Sequence, residues 1–190
     1  MCARRGAHSP RMRGFLAPAG WDILDDGIRR TVAADLRDAP MIEWFDDLSL
    51  GMRFKSGEVS VSADDIKRFA SEFDPQPFHL DEAAAEKTAF KGLAASGWHT
   101  AAMSMALAVT VRPFGPHPLM GLGVDDLRWM MPVRAGDVLH LEGEVVELTP
   151  SRTKPQGIAK IKWTAYNQRG EAVYTFTPIA IVPRKPDPAN

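Results

Sequence analysis

The chain has 190 residues, of which 45% are hydrophobic and 25% charged, a composition typical of one folded domain. Its net charge of -1 gives no basic signal for a nucleic-acid partner, and its single cysteine, Cys2, excludes an intrachain disulfide and a cysteine-based zinc site. The longest apolar stretch, residues 101–111, is shorter than the roughly 18 residues that a membrane span needs. The five histidines lack metal-binding spacing, so we expect no metal site. Because the chain also lacks a long apolar stretch, we expect no membrane contact and a cytoplasmic location.

Residues 1–40 differ in composition from the rest of the chain. They contain seven Arg and neither Lys nor Glu, and their apolar residues show little periodicity. We predict that residues 1–40 form a poorly ordered extension, although residues 21–36 have some helical pattern. A transit peptide is the alternative, since such peptides are rich in Arg and poor in acids. Residues 41–190 are predicted to form a single domain.

Three helices are predicted after a first strand at residues 54–61. Ser62 begins a helix that ends before Pro75, because the residue before a proline disfavours helical geometry. A short Ala-rich helix follows at residues 81–88. The third helix, residues 98–111, is almost uncharged, and we expect it to be buried on most sides.

The remainder of the chain has the pattern of an antiparallel sheet. Strands are predicted at residues 124–130, 138–148, 158–167 and 173–182, with turns at residues 132–137 and 167–170. The order of elements indicates an α+β fold in which a long helix packs against a curved sheet.

The first candidate site lies in the run Asp-Pro-Gln-Pro-Phe-His-Leu-Asp at residues 74–81. Two prolines stiffen this loop, which carries the carboxylate of Asp74 five residues before the imidazole of His79. A rigid turn can hold both groups on one water molecule, and such a pair suits general acid–base chemistry. The alternative is that Asp74 caps backbone N–H groups and His79 only packs.

The second candidate site lies at residues 90–99, where Gly97 precedes the predicted central helix. The first N–H groups of a helix lack intrahelical acceptors, so Gly97 could stabilise a carbonyl oxygen that becomes an enolate. The alternative is that Gly97 only permits a tight bend. His99 follows in the first turn among apolar residues, and we expect it to be structural.

Together these segments resemble the MaoC-like acyl dehydratases and (R)-specific enoyl-CoA hydratases. Residues 74–79 are similar to the D-x-N-P-x-H signature of that family, and the interval of eighteen residues from His79 to Gly97 is similar as well. The segments 132–137 and 151–155 also resemble family members, so the resemblance covers about residues 45–183. It implies the hot-dog fold, an α+β fold with a long central helix wrapped by a curved antiparallel sheet.

The resemblance implies a role for each matching position. Asp74 and His79 match the catalytic pair that holds the reacting water, and Gly97 matches the glycine whose N–H binds the thioester oxygen. Gln76 stands where the signature has Asn, and Ser96 stands where a His usually precedes the glycine. Further positions expected in the substrate pocket or its loop are Gln76, Phe78, Ser96 and Trp98.

These roles imply the reversible addition of water to a 2-enoyl thioester, a reaction of fatty acid metabolism that gives a 3-hydroxyacyl thioester. Neither a metal nor an organic cofactor is needed, because coenzyme A or acyl carrier protein enters as part of the substrate. Arg152 and Lys154 could contact phosphates of that carrier, or they could form a solvated turn. A single hot-dog sheet leaves an edge and a face uncovered, so we expect at least a homodimer.

Two other functions remain open at this point. A hot-dog thioesterase would hydrolyse the acyl–sulfur bond, usually with a carboxylate near the central helix, but residues 92–111 contain no Asp or Glu. A non-catalytic acyl-CoA-binding or assembly subunit would keep the fold without the chemistry. The presence of both Asp74 and His79 favours the hydratase.

Overall fold

The computed structural model describes residues 42–118 and 120–186. The extension predicted at residues 1–40, with its segment 21–36, lies outside the described residues. The described chain contains, in order, a 3-10 turn (Phe45–Asp47), β1 (Arg53–Ser60), α1 (Ala63–Phe73), α2 (Pro77–Leu80), α3 (Glu82–Glu86), α4 (Gly97–Val111), β2 (Met120–Trp129), β3 (Val138–Pro150), β4 (Gln156–Tyr166) and β5 (Ala172–Pro183).

The strands form one antiparallel sheet in the order β1-β3-β4-β5-β2, which places β1 and β2 at its two edges. Helix α4 lies against β1 and β3. Side chains alternate along β3 and β4, and the largest fully buried one is Trp163 of β4. The predicted α+β architecture, a long helix against an antiparallel sheet, is confirmed.

Local hydrogen bonds explain where the helices begin. Ser62 caps α1 by accepting the N–H of Asp65 at 3.0 Å, and Asp81 caps α3 by accepting the N–H of Ala84 at 2.7 Å. The short helix α2 was not predicted. It forms because Pro77 takes the first helical position, where the missing N–H costs nothing.

Several predicted boundaries differ from the structure by one to four residues, and two of these differences have a local explanation. Helix α3 ends at Glu86 rather than residue 88, because the hydroxyl of Thr88 bonds to the carbonyl of Ala85 and the chain turns there. Strand β2 begins at Met120 rather than residue 124. Its glycines, Gly121 and Gly123, conceal the pattern, but an edge strand needs only backbone pairing with β5.

Helix α4 is buried or partly buried around most of its circumference, as its composition predicts. One face is buried, and its buried residues are His99, Thr100, Met103, Ser104, Leu107 and Ala108. Trp98, Ala102 and Val109 form a narrow exposed stripe, and the other residues of α4 are at least partly buried, so the expectation of burial on most sides is confirmed for a single chain. No helix within residues 42–118 and 120–186 combines the length and hydropathy that crossing a membrane requires.

Candidate active site

Asp74 and His79 lie next to each other across the proline-containing loop. Asp74 is the C-cap of α1, and His79 lies in α2, where it is buried. The Nε2 atom of His79 is 3.5 Å from Oδ2 of Asp74, and its Nδ1 atom is 2.7 Å from the carbonyl oxygen of Ala94. A carbonyl only accepts, so we assign the proton of neutral His79 to Nδ1.

This tautomer gives the pair a specific chemical property. The Nε2 atom of His79 then carries a lone pair that faces a carboxylate oxygen of Asp74, so two acceptors oppose each other without a proton between them. A water molecule can satisfy both by donating one hydrogen to each. The loop therefore presents one polar position at which a water molecule can be bound and polarised.

Two side chains hold the Asp74 carboxylate in place. The hydroxyl of Ser96 donates to Oδ2 at 2.6 Å, and the amide of Gln76 donates to Oδ1 at 2.7 Å. The hydrogen bond from Ser96 is the strongest influence that lowers the pKa of Asp74 below its usual value, and Gln76 and His79 add to it while burial opposes it. Asp74 is therefore a carboxylate near neutral pH.

Gly97 is the first residue of α4, so its N–H has no acceptor within the helix. The next N–H, that of Trp98, is taken by the hydroxyl of Ser96. The indole N–H of Trp129 donates to the Gly97 carbonyl at 2.7 Å, and a Cβ on Gly97 would lie 2.7 Å from the indole ring. Only glycine fits under this ring. The contact with Trp129 therefore requires a glycine at position 97, in addition to the tight bend that the sequence suggested.

A cavity of about 470 Å³ opens beside the pair. It is lined by Asp74, Gln76, Phe78, His79, Phe90, Ala95, Gly97, Trp98, Thr100, Trp129, Met130, Met131, Pro132 and Val133. Most of this surface is apolar, while Asp74, His79 and the head of α4 place polar groups together. Of the residues predicted for the pocket or its loop, Gln76, Phe78 and Trp98 line the cavity, whereas Ser96 lies behind Asp74 and does not.

The 132–137 turn fixes the loop that leads into α4. Arg134 donates from its guanidinium to the backbone oxygens of Phe90 and Leu93. The N–H of Ala95 donates to the carbonyl of Val133 at 2.8 Å. These bonds hold the ring of Phe90 in the cavity wall, where it stacks on Phe78 with 5.3 Å between ring centroids.

Arg152 and Lys154 are not brought to this cavity within one chain. They lie in the exposed turn between β3 and β4. Strand β3 begins next to the 132–137 turn and runs away from the cavity for 13 residues, about 40 Å at the usual rise of a strand. A contact between these two residues and the carrier phosphates stays a prediction.

Sequence reasoning missed the far wall of the cavity, which consists of Trp129, Met130, Met131 and Val133. These residues follow in the chain more than thirty positions after Gly97, and only the pairing of β2 with β5 brings them back to α4. The available signal was the apolar run Trp-Met-Met before Pro132, which is unusual at the exposed end of an edge strand.

His99 lies outside the cavity and has an apolar environment. Its ring stacks on Phe69, with centroids 4.7 Å apart and planes 11° from parallel, and its Nδ1 atom has no partner among the described residues. Burial lowers the pKa of His99 from 6.5 to about 4, an effect that Asp65 partly opposes and Arg68 reinforces. His99 is therefore neutral near pH 7, and its packing agrees with a structural role.

No group of three or more His, Cys, Asp or Glu side chains within residues 42–118 and 120–186 is arranged to hold a metal ion. The polar groups at the cavity include two side-chain acceptors, Asp74 and His79, and lie beside Gly97 at the start of α4.

Comparison with known proteins gives the family. Residues 48–167 match the MaoC-like domain family. The uncharacterized protein YdeM of Bacillus subtilis is 36% identical over 129 residues, which cover 68% of this chain and 91% of that protein. The 3-hydroxybutyryl-CoA dehydratase of Methylorubrum extorquens is 33% identical over 112 residues, or 58% of this chain and 69% of that protein.

A solved structure agrees with these relatives. The MaoC-like dehydratase of Rhodospirillum rubrum is 46% identical and superposes with a TM-score of 0.72, covering 76% of this chain and 99% of that one. The chain therefore belongs to the MaoC-like dehydratase family, and its fold is the hot-dog fold. The resemblance drawn from residues 74–79 and from Gly97 is confirmed at the level of the family.

The neutral burial of His99 predicts a specific acid sensitivity. In the unfolded chain His99 binds a proton below about pH 6.5, whereas the folded chain resists protonation until about pH 4. Its contribution to stability is complete above pH 6.5 and is lost as the pH falls to 4. At about 1.4 kcal/mol for each pKa unit, this loss is up to about 3 kcal/mol.

His99→Gln should therefore show a smaller decrease in the free energy of unfolding between pH 7 and pH 4 than the wild type. Urea denaturation at both pH values measures the difference. Equal decreases in the two proteins would contradict the assignment of His99 as a buried neutral residue.

Proposed function

We propose that the protein catalyses the reversible hydration of a 2-enoyl thioester of coenzyme A or acyl carrier protein, giving a 3-hydroxyacyl thioester. The observation that carries this proposal is the opposition of two acceptors, Nε2 of His79 and Oδ2 of Asp74, at 3.5 Å beside an apolar cavity. The name of the 33% identical relative, a 3-hydroxybutyryl-CoA dehydratase, supports the same chemistry.

The reaction can be followed from the bound water. Its oxygen bonds to C3 of the enoyl group while Nε2 of His79 accepts its proton, and the carboxylate of Asp74 stabilises the imidazolium. The electrons of the double bond move to the thioester oxygen, which accepts a hydrogen bond from the N–H of Gly97. The proton then returns from Nε2 to C2, so atoms and charges balance without a cofactor.

Two features favour hydration over the alternatives. Helix α4 carries no acidic residue, so it offers no carboxylate of the kind that thioesterases of this fold use near the central helix. A binding or assembly subunit would not need two fixed acceptors facing each other, since an isolated pair of this kind is unfavourable without a bound water.

We also propose that the protein works as a homodimer. In one chain, Trp98 and Val109 of α4 are exposed, and so are three apolar residues of the edge strand β2, Met120, Leu122 and Val124. An apolar edge strand and an apolar helix stripe of this kind are normally covered in folded proteins. We propose that a second copy of the chain covers these residues.

The cytoplasmic location stays a prediction.

Asp74→Asn and His79→Gln should each lower kcat/KM for a crotonyl thioester by about 10²–10⁴-fold, the usual contribution of general acid–base catalysis. The double variant should be little worse than either single one, because the two residues act as a unit. Loss of the conjugated absorbance without release of free thiol identifies hydration.

His99→Gln serves as the control for the loss of a histidine, and circular dichroism checks that each variant is folded. Release of thiol by the wild type would instead identify a thioesterase. If His79→Gln keeps near-native hydration while His99→Gln abolishes it, the base lies on the central helix and the proposed pair is wrong.

The dimer predicts a mass in solution of twice the chain mass of 20.9 kDa. Light scattering at micromolar concentration measures it. Leu122→Asp, which puts a charge on the exposed edge strand, should shift the protein toward the monomer without unfolding it, because Leu122 contacts solvent in the single chain. A wild-type protein that stays monomeric at this concentration rules the dimer out.

A further inference from the structure

Ser96 is fully buried, and its hydroxyl acts as both an acceptor and a donor of hydrogen bonds to its neighbours. It accepts the N–H of Trp98 at 3.2 Å, as the N-cap of α4, and it donates its hydrogen to Oδ2 of Asp74 at 2.6 Å. A backbone N–H can only donate and a carboxylate can only accept. The direction of both hydrogen bonds is therefore fixed: the Trp98 N–H donates to the Ser96 hydroxyl, and the hydroxyl donates to the carboxylate.

These two hydrogen bonds connect two parts of the site that are 22 residues apart in the sequence. One end is the first turn of α4, whose partial positive charge favours an anion, and the other end is the carboxylate that faces His79. Gln76 already holds Oδ1 at 2.7 Å. With Ser96 on Oδ2, both carboxylate oxygens are held and the carboxylate plane is fixed. Without the hydroxyl, Oδ2 would have only His79 beside it.

The segment that contains Ser96 also positions the other two groups of the site. The carbonyl of Ala94 accepts the Nδ1 proton of His79, and Gly97, whose N–H has no acceptor within α4, lines the cavity. We propose that Ser96 is a positioning residue, which aligns Asp74 with His79 and with the N–H of Gly97. This inference rests on the proposed hydration of an enoyl thioester, since that reaction is what the alignment serves.

The charge of Asp74 agrees with this role. The hydrogen bond from Ser96 is the largest influence lowering the pKa of the Asp74 carboxyl. Loss of the hydroxyl should therefore raise that pKa, an effect that a residue serving only as a helix cap would not produce. Ser96 does not line the cavity, so its loss should alter kcat more than KM.

The structure offers a matched control in Ser62. Its hydroxyl also caps a helix and also donates to a carboxylate, that of Asp65, at 2.6 Å. It lies at the opposite end of the 11-residue helix α1 from Asp74, about 17 Å away at the helical rise. Ser62→Ala therefore removes the same kind of bonds without touching the Asp74 carboxylate.

The experiment compares Ser96→Ala, Ser96→Gly and Ser96→Thr with Ser62→Ala. Glycine is a good N-cap, so Ser96→Gly removes the hydroxyl with little loss of helix stability, and Ser96→Thr keeps it. We expect kcat for a crotonyl thioester to fall by up to about 100-fold in the Ala and Gly variants, the scale of a misaligned catalytic group. The acid limb of their pH profiles should move to higher pH, while Ser96→Thr and Ser62→Ala should keep the wild-type limb.

A second measurement does not depend on turnover. The titration midpoint of the Asp74 carboxyl, followed by ¹³C NMR and assigned with Asp74→Asn, should rise in Ser96→Ala and Ser96→Gly. If the wild type hydrates the thioester but both the midpoint and the acid limb are unchanged in these variants, the role of Ser96 is overturned and the proposed function stands. If the midpoint rises but the wild type turns over no enoyl thioester, the alignment by Ser96 stands and the proposed function fails.

Discussion

The groups proposed to act at the cavity, Asp74, His79 and the N–H of Gly97, are all held by four consecutive residues, 94–97, at the entrance to α4. The carbonyl of Ala94 sets the tautomer of His79, and the hydroxyl of Ser96 fixes the carboxylate of Asp74. Gly97 contributes its own N–H, and Ala95 ties the segment to the sheet through Val133. The sheet thus determines where the segment lies, and the segment determines where the polar groups of the candidate site lie.

The two buried histidines of this region show that environment, not residue type, decides their chemistry. His79 has a carbonyl for its Nδ1 proton and a carboxylate beyond Nε2, so its lone pair is directed at a polar position next to the cavity. His99 stacks on Phe69, and burial lowers its pKa to about 4. Both rings are buried to a similar extent, but only His79 has polar partners arranged for proton transfer.

Local signals in the sequence were sufficient for helices α1, α3 and α4 and for the pair itself, although the four-residue helix α2 was missed. The prolines after Asp74, the caps at Ser62 and Asp81, and the glycine before α4 each act within a few residues, so their effects are readable from spacing. The wall formed by residues 129–133 was not readable, because it depends on the pairing of β2 with β5. The roles of Ser96 and Arg134 were missed for the same reason, since their partners lie 22 and more than 40 residues away.

The central claim is that one pair, Asp74 and His79, handles the water and its proton on a single face of the substrate. The stereochemistry of hydration in D₂O tests this most directly. If the pair both delivers the hydroxyl to C3 and returns a deuteron to C2, the two must add to the same face of a crotonyl thioester, and the coupling constants of the product will report syn addition. A product with deuterium and hydroxyl on opposite faces would require a second acid elsewhere in the cavity and would contradict the single-pair mechanism.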